Sequence, residues 1–266
     1  MKFSIVLSTQ PASFSALAYK GEIEENIAKI AGFGYDGVEL AVRNPQQLDK
    51  DILNTFLKQN GLPVPAIGTG QAFGEEGLSF TDPDEKVRRQ AIERIKEQVQ
   101  LAAELNAIVI IGLIRGQTIP AERRQDAEEQ FIFALRECAA VNPAVRLAIE
   151  PINRYETELL NTVSDSLRFL DRVGMENIGL LLDTFHMNIE EPSIEQSMID
   201  AEDRMFHFHV ADSNRWHPGA GHIDFPSILK TLDKVAYTGF ISGEMLPLPD
   251  PDTSARKMME YFKTII

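Results

Sequence analysis

Residues 178–183 read IGLLLD, a run of five uncharged residues that ends in an aspartate. Successive side chains of an extended chain point to opposite faces, so this run is apolar on both faces. Such a strand suits a parallel sheet that is covered by helices on each side. Residues 108–111 read IVII and show the same pattern. Both runs therefore predict strands of an α/β fold.

Short apolar runs of this kind alternate with longer amphipathic runs along the whole chain. We expect strands near residues 3–7, 37–40, 64–67, 108–113, 146–150, 178–182, 205–210 and 240–244. We expect helices near residues 22–32, 48–59, 84–105, 121–141, 163–173, 193–199, 225–235 and 253–265. Eight βα units in 266 residues favour a closed (β/α)8 TIM barrel over an open sheet. No linker interrupts the pattern, so we expect one domain over residues 1–266.

The charge balance narrows the class of partner. The chain has 26 Lys and Arg against 40 Asp and Glu, a formal charge of -14. A surface this acidic repels phosphate backbones and anionic lipid headgroups, and no apolar run approaches the ~20 residues of a membrane span. The single cysteine, Cys138, lies in an apolar helical run and is expected to be an inert buried thiol. We therefore expect a cytoplasmic protein that acts on a small molecule and binds neither nucleic acid nor membranes.

The ends of the predicted strands carry the chemistry, because function in this type of barrel collects at the C-terminal ends of the strands. The last four predicted strands deliver Glu150, Asp183, His209 and Glu244 to the same rim. Three carboxylates at close quarters would repel and take up protons, whereas a divalent cation resolves the conflict. This oxygen-rich set suits Mn²⁺ or Mg²⁺, with Co²⁺ as a further candidate. His207 shares a strand face with His209 and is expected to support the site from outside the ligand set.

Longer motifs surround these positions: EPINRYE at residues 150–156, DTFHMNIEE at 183–191, HFHVADSNR at 207–215 and PGAGHIDF at 218–225. Together they resemble the ketose 3-epimerase family, typified by D-tagatose 3-epimerase and D-psicose 3-epimerase, within the xylose isomerase-like TIM barrels. The resemblance spans essentially the whole chain. Its motifs are specific for the family and much less specific for the sugar.

The resemblance implies a divalent metal ion, usually Mn²⁺, and no nucleotide cofactor. It places the ion on Glu150, Asp183, His209 and Glu244, and it makes Glu150 and Glu244 the catalytic acid/base pair. Elementary chemistry agrees, because a hydrogen next to a ketone becomes acidic only if the enediolate charge is stabilised, as a metal ion can do. Two glutamates on opposite sides of the sugar can then remove a proton from one face and return one on the other. We therefore expect epimerisation of a ketose or keto sugar acid at the carbon next to the ketone.

Matching positions also imply contacts to the substrate. The resemblance assigns Glu156, His186 and Arg215 to the substrate oxygens near the carbonyl end. His186 can donate a hydrogen bond to an enediolate oxygen, and Arg215 offers a fixed fork of donors to the same end. The family also implies a homo-oligomer, either a dimer or a tetramer.

Arg115 follows the fourth predicted strand and adds a cation to the same rim. An arginine there can pair with a carboxylate or phosphate of the substrate. We therefore hypothesise that the substrate is a keto sugar acid such as 5-keto-L-gluconate. A structural salt bridge from Arg115 to Glu75 or Glu76 is the alternative.

Other functions remain open on the sequence. An aldose-ketose isomerase of the hydroxypyruvate isomerase type would use the same enediolate and return the proton to a different carbon. A barrel that binds sugar and metal without catalysis would lack one of the two glutamates, and both are present. A phosphodiesterase similar to endonuclease IV would need a larger histidine cluster and a basic surface, whereas this chain has five histidines and a charge of -14.

Overall fold

Eight parallel strands close into a barrel in the computed structural model, which describes residues 1–266. The strands of the chain are β1 (Lys2–Ser8), β2 (Tyr19–Lys20), β3 (Gly37–Ala41), β4 (Ala66–Gly68), β5 (Ile108–Ile111), β6 (Leu147–Ile149), β7 (Ile178–Asp183), β8 (Met205–Val210) and β9 (Phe240–Gly243). Neighbours follow chain order from β1 and β3 to β9, and β9 pairs with β1 to complete the ring. The two-residue β2 only extends the edge of β1. The predicted (β/α)8 barrel is confirmed.

Helices surround the barrel. They are α1 (Ile23–Gly32), α2 (Lys50–Asn60), α3 (Gln71–Gly74), α4 (Glu85–Leu105), α5 (Arg124–Ala139), α6 (Val163–Val173), α7 (Thr184–Glu190), α8 (Ile194–Ala201), α9 (Phe225–Lys234) and α10 (Pro251–Ile265). Short 3-10 turns cover Pro45–Gln47, Leu113–Arg115, Ala121–Arg123 and Glu202–Arg204. The sequence pattern did not predict α3 and α7, which are short and lie directly after strands at the mouth of the barrel. None of the helices has the length and apolar character needed to cross a membrane.

The inner layer of the barrel explains how the functional residues are presented. Ala66, Ile110, Ala148 and Leu181 pack against one another as a small buried cluster. Side chains two residues apart on a strand share a face, so Glu150 follows Ala148 and Asp183 follows Leu181 on the inward side. A separate cluster of 64 buried residues fills the space between the barrel and its helices. The apolar layer therefore forms a floor beneath the side chains at the mouth.

Cys138 lies in α5 and is fully buried, as its apolar surroundings predict. Burial raises the pKa of its thiol well above the ordinary range, which keeps it protonated and unreactive at neutral pH.

The end of α6 supplies a prediction about stability. Gly174 ends this helix in the left-handed conformation with a φ of 65°. A side chain in that conformation costs about 1–2 kcal/mol, so Gly174→Ala should lower the free energy of unfolding, measured in urea, by this amount. Gly32→Ala is the matched control, because Gly32 ends α1 without a positive φ and faces open space. An equal loss in the two variants would contradict the prediction.

Candidate active site

Four side chains converge at the mouth of the barrel. Glu150 directly follows β6, Asp183 ends β7, His209 is the last residue but one of β8, and Glu244 directly follows β9. One ligand atom from each of the four lies within 4.8 Å of the others. Glu150, Asp183 and His209 are buried, and Glu244 is half-buried. The structure therefore brings together the four residues proposed from the strand ends.

The chemistry of this cluster fits a divalent cation. Glu150 Oε1, Asp183 Oδ2 and His209 Nδ1 are all buried without a hydrogen-bond partner in the protein. His209 Nδ1 lies 4.0 Å from Asp183 Oδ2. Buried polar atoms without a partner are costly, and three carboxylates with one imidazole are ligands that Mn²⁺ and Mg²⁺ accept. These four residues form a site that could hold a divalent metal ion.

Burial and mutual repulsion shape the electrostatics of the cluster. Burial raises the pKa of Glu150, and the neighbouring Glu244 carboxylate raises it further. Burial likewise raises the pKa values of Asp183 and Glu244. Burial alone would lower the pKa of His209, but the carboxylates of Glu39, Glu244 and Glu150 together raise it to about 10. Without a cation the three acids are therefore poorly matched to their surroundings.

Glu39 is a residue of the site that the sequence analysis missed. It lies in β3 with 1% of its surface exposed and lines the same cavity as the cluster. Glu39 Oε2 lies 2.8 Å from His207 Nε2, and both of its carboxylate oxygens lie 3.0 Å from His209 Nε2. The signal in the sequence was an acidic residue in the middle of an apolar strand, where charges are rarely buried without partners. His207 accordingly contacts Glu39 and stands outside the four-residue cluster.

Arg215 links two acidic groups at the mouth. Its Nη1 donates to Glu156 Oε1 at 3.1 Å, and its Nη2 donates to Glu244 Oε2 at 3.1 Å. The guanidinium also lies 5.1 Å from the ring centroid of Phe14 and 4.7 Å from that of Phe185, within the range of cation–π attraction. Arg215 is thus fixed by contacts to four side chains beside the cluster.

His186 lies in α7, is buried, and has a defined hydrogen-bond arrangement. Asn153 Oδ1 accepts from the backbone N–H of Tyr155, so its amide NH₂ faces His186 Nδ1 at 2.8 Å. Nδ1 is then an acceptor, and the ring hydrogen lies on Nε2, 3.6 Å from Glu150 Oε1. Burial, aided by the charge of Arg215, keeps the pKa of His186 well below its usual value. His186 is therefore a neutral donor that points towards the cluster.

A cavity of about 370 Å³ opens above the cluster. Seven of its 23 lining residues are hydrophobic. Its ionisable lining consists of five glutamates, one arginine and two histidines: Glu39, Glu75, Glu150, Glu156, Glu244, Arg215, His186 and His209. A pocket of this size that combines an apolar wall with convergent polar groups is typical of a small-molecule site.

The structure does not bring Arg115 to this cavity. Its side chain is fully buried, and Nη1 donates to the backbone carbonyl oxygen of Glu150. Burial lowers the pKa of Arg115 to about 10, which still leaves it cationic at neutral pH. Neither alternative partner is engaged, since Glu75 accepts from Ser13 and Glu76 pairs with arginines elsewhere. The expected contact between Arg115 and an acidic substrate stays a prediction, and in this structure the side chain that follows the turn Leu113–Arg115 contacts the Glu150 carbonyl instead of lining the cavity.

Comparisons with known proteins agree with the fold. The family model for xylose isomerase-like TIM barrels matches residues 27–265. The L-ribulose 3-epimerase of Mesorhizobium japonicum is 32% identical over 257 residues, which cover 95% of this chain and 85% of that protein. The 3-dehydro-D-guloside 4-epimerase of Escherichia coli is 26% identical and is covered over 97% of this chain and 99% of its own length.

A solved structure extends the likeness to three dimensions. The crystal structure of D-allulose 3-epimerase from Methylomonas sp. in complex with D-allulose superposes with a TM-score of 0.85 at 25% identity. The match covers 100% of this chain and 97% of that one. On the family match and these relatives, the chain belongs to the xylose isomerase-like TIM barrel family.

Proposed function

We propose that this protein is a metal-dependent epimerase that inverts the carbon next to the ketone of a neutral ketose. The observation that carries the proposal is the placement of Glu150 and Glu244 in one buried cluster, three strands apart around the barrel. Two carboxylates on different sides of a bound sugar are what proton removal from one face and return to the other require. The relatives named as ketose 3-epimerases and L-ribulose 3-epimerases support the same chemistry.

The acid/base roles follow from the surroundings of the two glutamates. One of them takes the proton from the carbon next to the ketone, and the other delivers a proton to the opposite face. Burial raises the pKa of both carboxyl groups and so favours their protonated forms, whereas a bound cation would favour the ionised forms that accept a proton. Arg215 donates to Glu244 and holds its carboxylate in one orientation. Removal of either carboxylate should therefore stop the reaction.

A divalent ion, for which Mn²⁺ is our expectation, would be held by Glu150, Asp183, His209 and Glu244. When bound, it supplies Lewis-acid stabilisation of the negative charge that develops on the substrate oxygens. His186 directs its Nε2–H towards the same place and can donate to one of those oxygens. Glu156, held by Arg215 and Asn153, can orient a substrate hydroxyl.

The charges of the cavity favour a neutral sugar over a keto sugar acid. Five glutamates line it against one arginine, and both terminal nitrogens of Arg215 already donate to glutamates. With the two charges of the proposed metal ion included, the five glutamates still outnumber the positive charges, so an anionic substrate would meet net repulsion and no free cationic fork. We therefore place neutral ketoses ahead of acidic ones.

A keto glycoside is a second candidate substrate. The E. coli 3-dehydro-D-guloside 4-epimerase aligns over 99% of its length, whereas the M. japonicum L-ribulose 3-epimerase aligns over 85%. Inversion at C4 next to a C3 ketone requires the same two-sided proton transfer. The apolar part of the cavity, which includes Phe14 and Leu17, offers room for a second substituent.

Hydrogen exchange tests the function directly. The Mn²⁺-loaded protein should introduce deuterium from D₂O at the carbon next to the ketone and yield the inverted sugar, read by NMR. The substrates to compare are ketohexoses, ketopentoses, a 3-keto glycoside and a keto sugar acid, and EDTA should abolish the exchange. Formation of an aldose would instead indicate an isomerase. Absence of exchange from every substrate would leave only a binding site and contradict the proposal.

The two glutamates provide the mechanistic test. Glu150→Gln and Glu244→Gln should each lower kcat by at least ~10²- to 10⁴-fold, because each removes one of the two proton-transfer groups. Glu260→Gln, on the exposed face of α10, is the control that changes one charge far from the mouth. Turnover near the wild-type rate in either active-site variant would refute the two-glutamate mechanism.

A variant of Arg115 tests whether this residue contributes to a preference for neutral or acidic substrates. Its guanidinium supports the backbone at Glu150 and does not face the cavity, so Arg115→Ala should lower kcat/KM for neutral ketoses and for keto sugar acids by a similar factor. The ratio between the two substrates serves as the internal control. A loss confined to acidic substrates would restore Arg115 as their carboxylate partner.

A further inference from the structure

A buried acid-histidine cluster shares His209 with the four-residue cluster and has no part in the proton transfers described above. It consists of Glu39 from β3 with His207 and His209 from β8, each about 1% exposed. A carboxylate buried to this degree is costly unless charged or hydrogen-bonding groups surround it. Both histidines supply such contacts at 2.8 and 3.0 Å.

The two ring nitrogens of His209 face different groups. Nε2 points at Glu39, with 3.0 Å to each carboxylate oxygen. Nδ1 points into the four-residue cluster, where it has no hydrogen-bond partner and lies 4.0 Å from Asp183 Oδ2. A metal-binding imidazole must present a free lone pair on one nitrogen, and the hydrogen bond made by the other nitrogen decides which one that is.

We propose that Glu39 is a positioning residue that accepts a hydrogen bond from His209 Nε2–H and so presents the Nδ1 lone pair to the metal ion. His207 holds the Glu39 carboxylate in that orientation through its own contact at 2.8 Å. The inference rests on the metal-binding part of the proposed function and is independent of which sugar is the substrate.

The same three residues offer a competing assignment as a second metal site. Such a site would need a lone pair on His209 Nε2 while Nδ1 binds the first ion, so the ring would have to lose both of its nitrogen-bound protons. The hydrogen-bonded arrangement requires no such loss and leaves one ion per chain.

Binding of Mn²⁺ alone, followed by electron paramagnetic resonance of the free ion, tests the role of Glu39. Glu39→Ala should weaken Mn²⁺ affinity about 10- to 100-fold, the usual effect of losing the partner of a metal-binding histidine. Glu39→Gln should bind more tightly than Glu39→Ala, because its carbonyl oxygen can accept the same hydrogen bond. Ser4→Ala is the matched control, since Ser4 is an equally buried polar residue without a hydrogen-bond partner.

Nitrogen-15 NMR of the histidine rings gives a second measurement, the position of the ring hydrogen of His209. Unlike a fall in metal affinity, this position does not depend on whether a variant folds. In the Mg²⁺-loaded wild-type protein, the ring hydrogen of His209 should lie on Nε2. The signals of this ring are the ones that are missing from the spectrum of His209→Gln. A hydrogen on Nδ1, a Glu39→Ala variant that binds Mn²⁺ as tightly as wild type, or two ions per chain would each overturn the proposal. Where Glu39→Ala fails to fold, the wild-type spectrum still tests which nitrogen faces the ion, and the Mn²⁺ affinity of Glu39→Gln tests the part played by the carboxylate.

The outcomes also separate this inference from the proposed function. A wild-type protein that binds no Mn²⁺ contradicts the metal-dependent function itself. A wild-type protein that binds Mn²⁺ and epimerises ketoses, with an affinity insensitive to Glu39, contradicts only the positioning role.

Discussion

Repulsion among the buried carboxylates of Glu150, Asp183 and Glu244 is the constraint around which the mouth of the barrel is arranged. Three acids share a space within 4.8 Å with one imidazole, and burial raises the pKa of each acid. Positive and hydrogen-bonding groups surround them: Arg215 donates to Glu244, and His209 is held by Glu39. A divalent cation in the centre would complete this balance of charge.

The barrel and the four-residue cluster could be predicted from the sequence because both follow from simple periodicities. Alternation along a strand fixes which residues face inward, and a parallel barrel gathers all strand ends at one rim. The short helices α3 and α7 escaped prediction because four and seven residues are too few to show a helical period. The start of α7 is also masked by the strand before it, since Asp183 both ends β7 and caps α7 by accepting from the N–H of Phe185 at 2.8 Å.

The remaining parts of the site depend on where side chains point and on which strands become neighbours, and the amino-acid sequence does not show either directly. Arg115 follows its strand as expected, but a 3-10 turn sends its guanidinium to the carbonyl of Glu150 instead of into the cavity. Glu39 is far from the other site residues in the chain, and only barrel closure brings β3 to within three strands of β8. Asn153 was visible within a motif, yet its role towards His186 emerges only from the orientation of its amide.

The contact between Glu39 and His209 joins the first and second halves of the chain, whereas all four residues of the candidate metal cluster belong to the second half. A half-barrel made of the later strands alone would carry the four ligands without the partner that orients His209. An ion that favours the oriented histidine stabilises only the state in which both halves have docked. On the proposed function, metal loading and ring closure would therefore be thermodynamically linked, and the ion would favour assembly of the barrel as well as its chemistry.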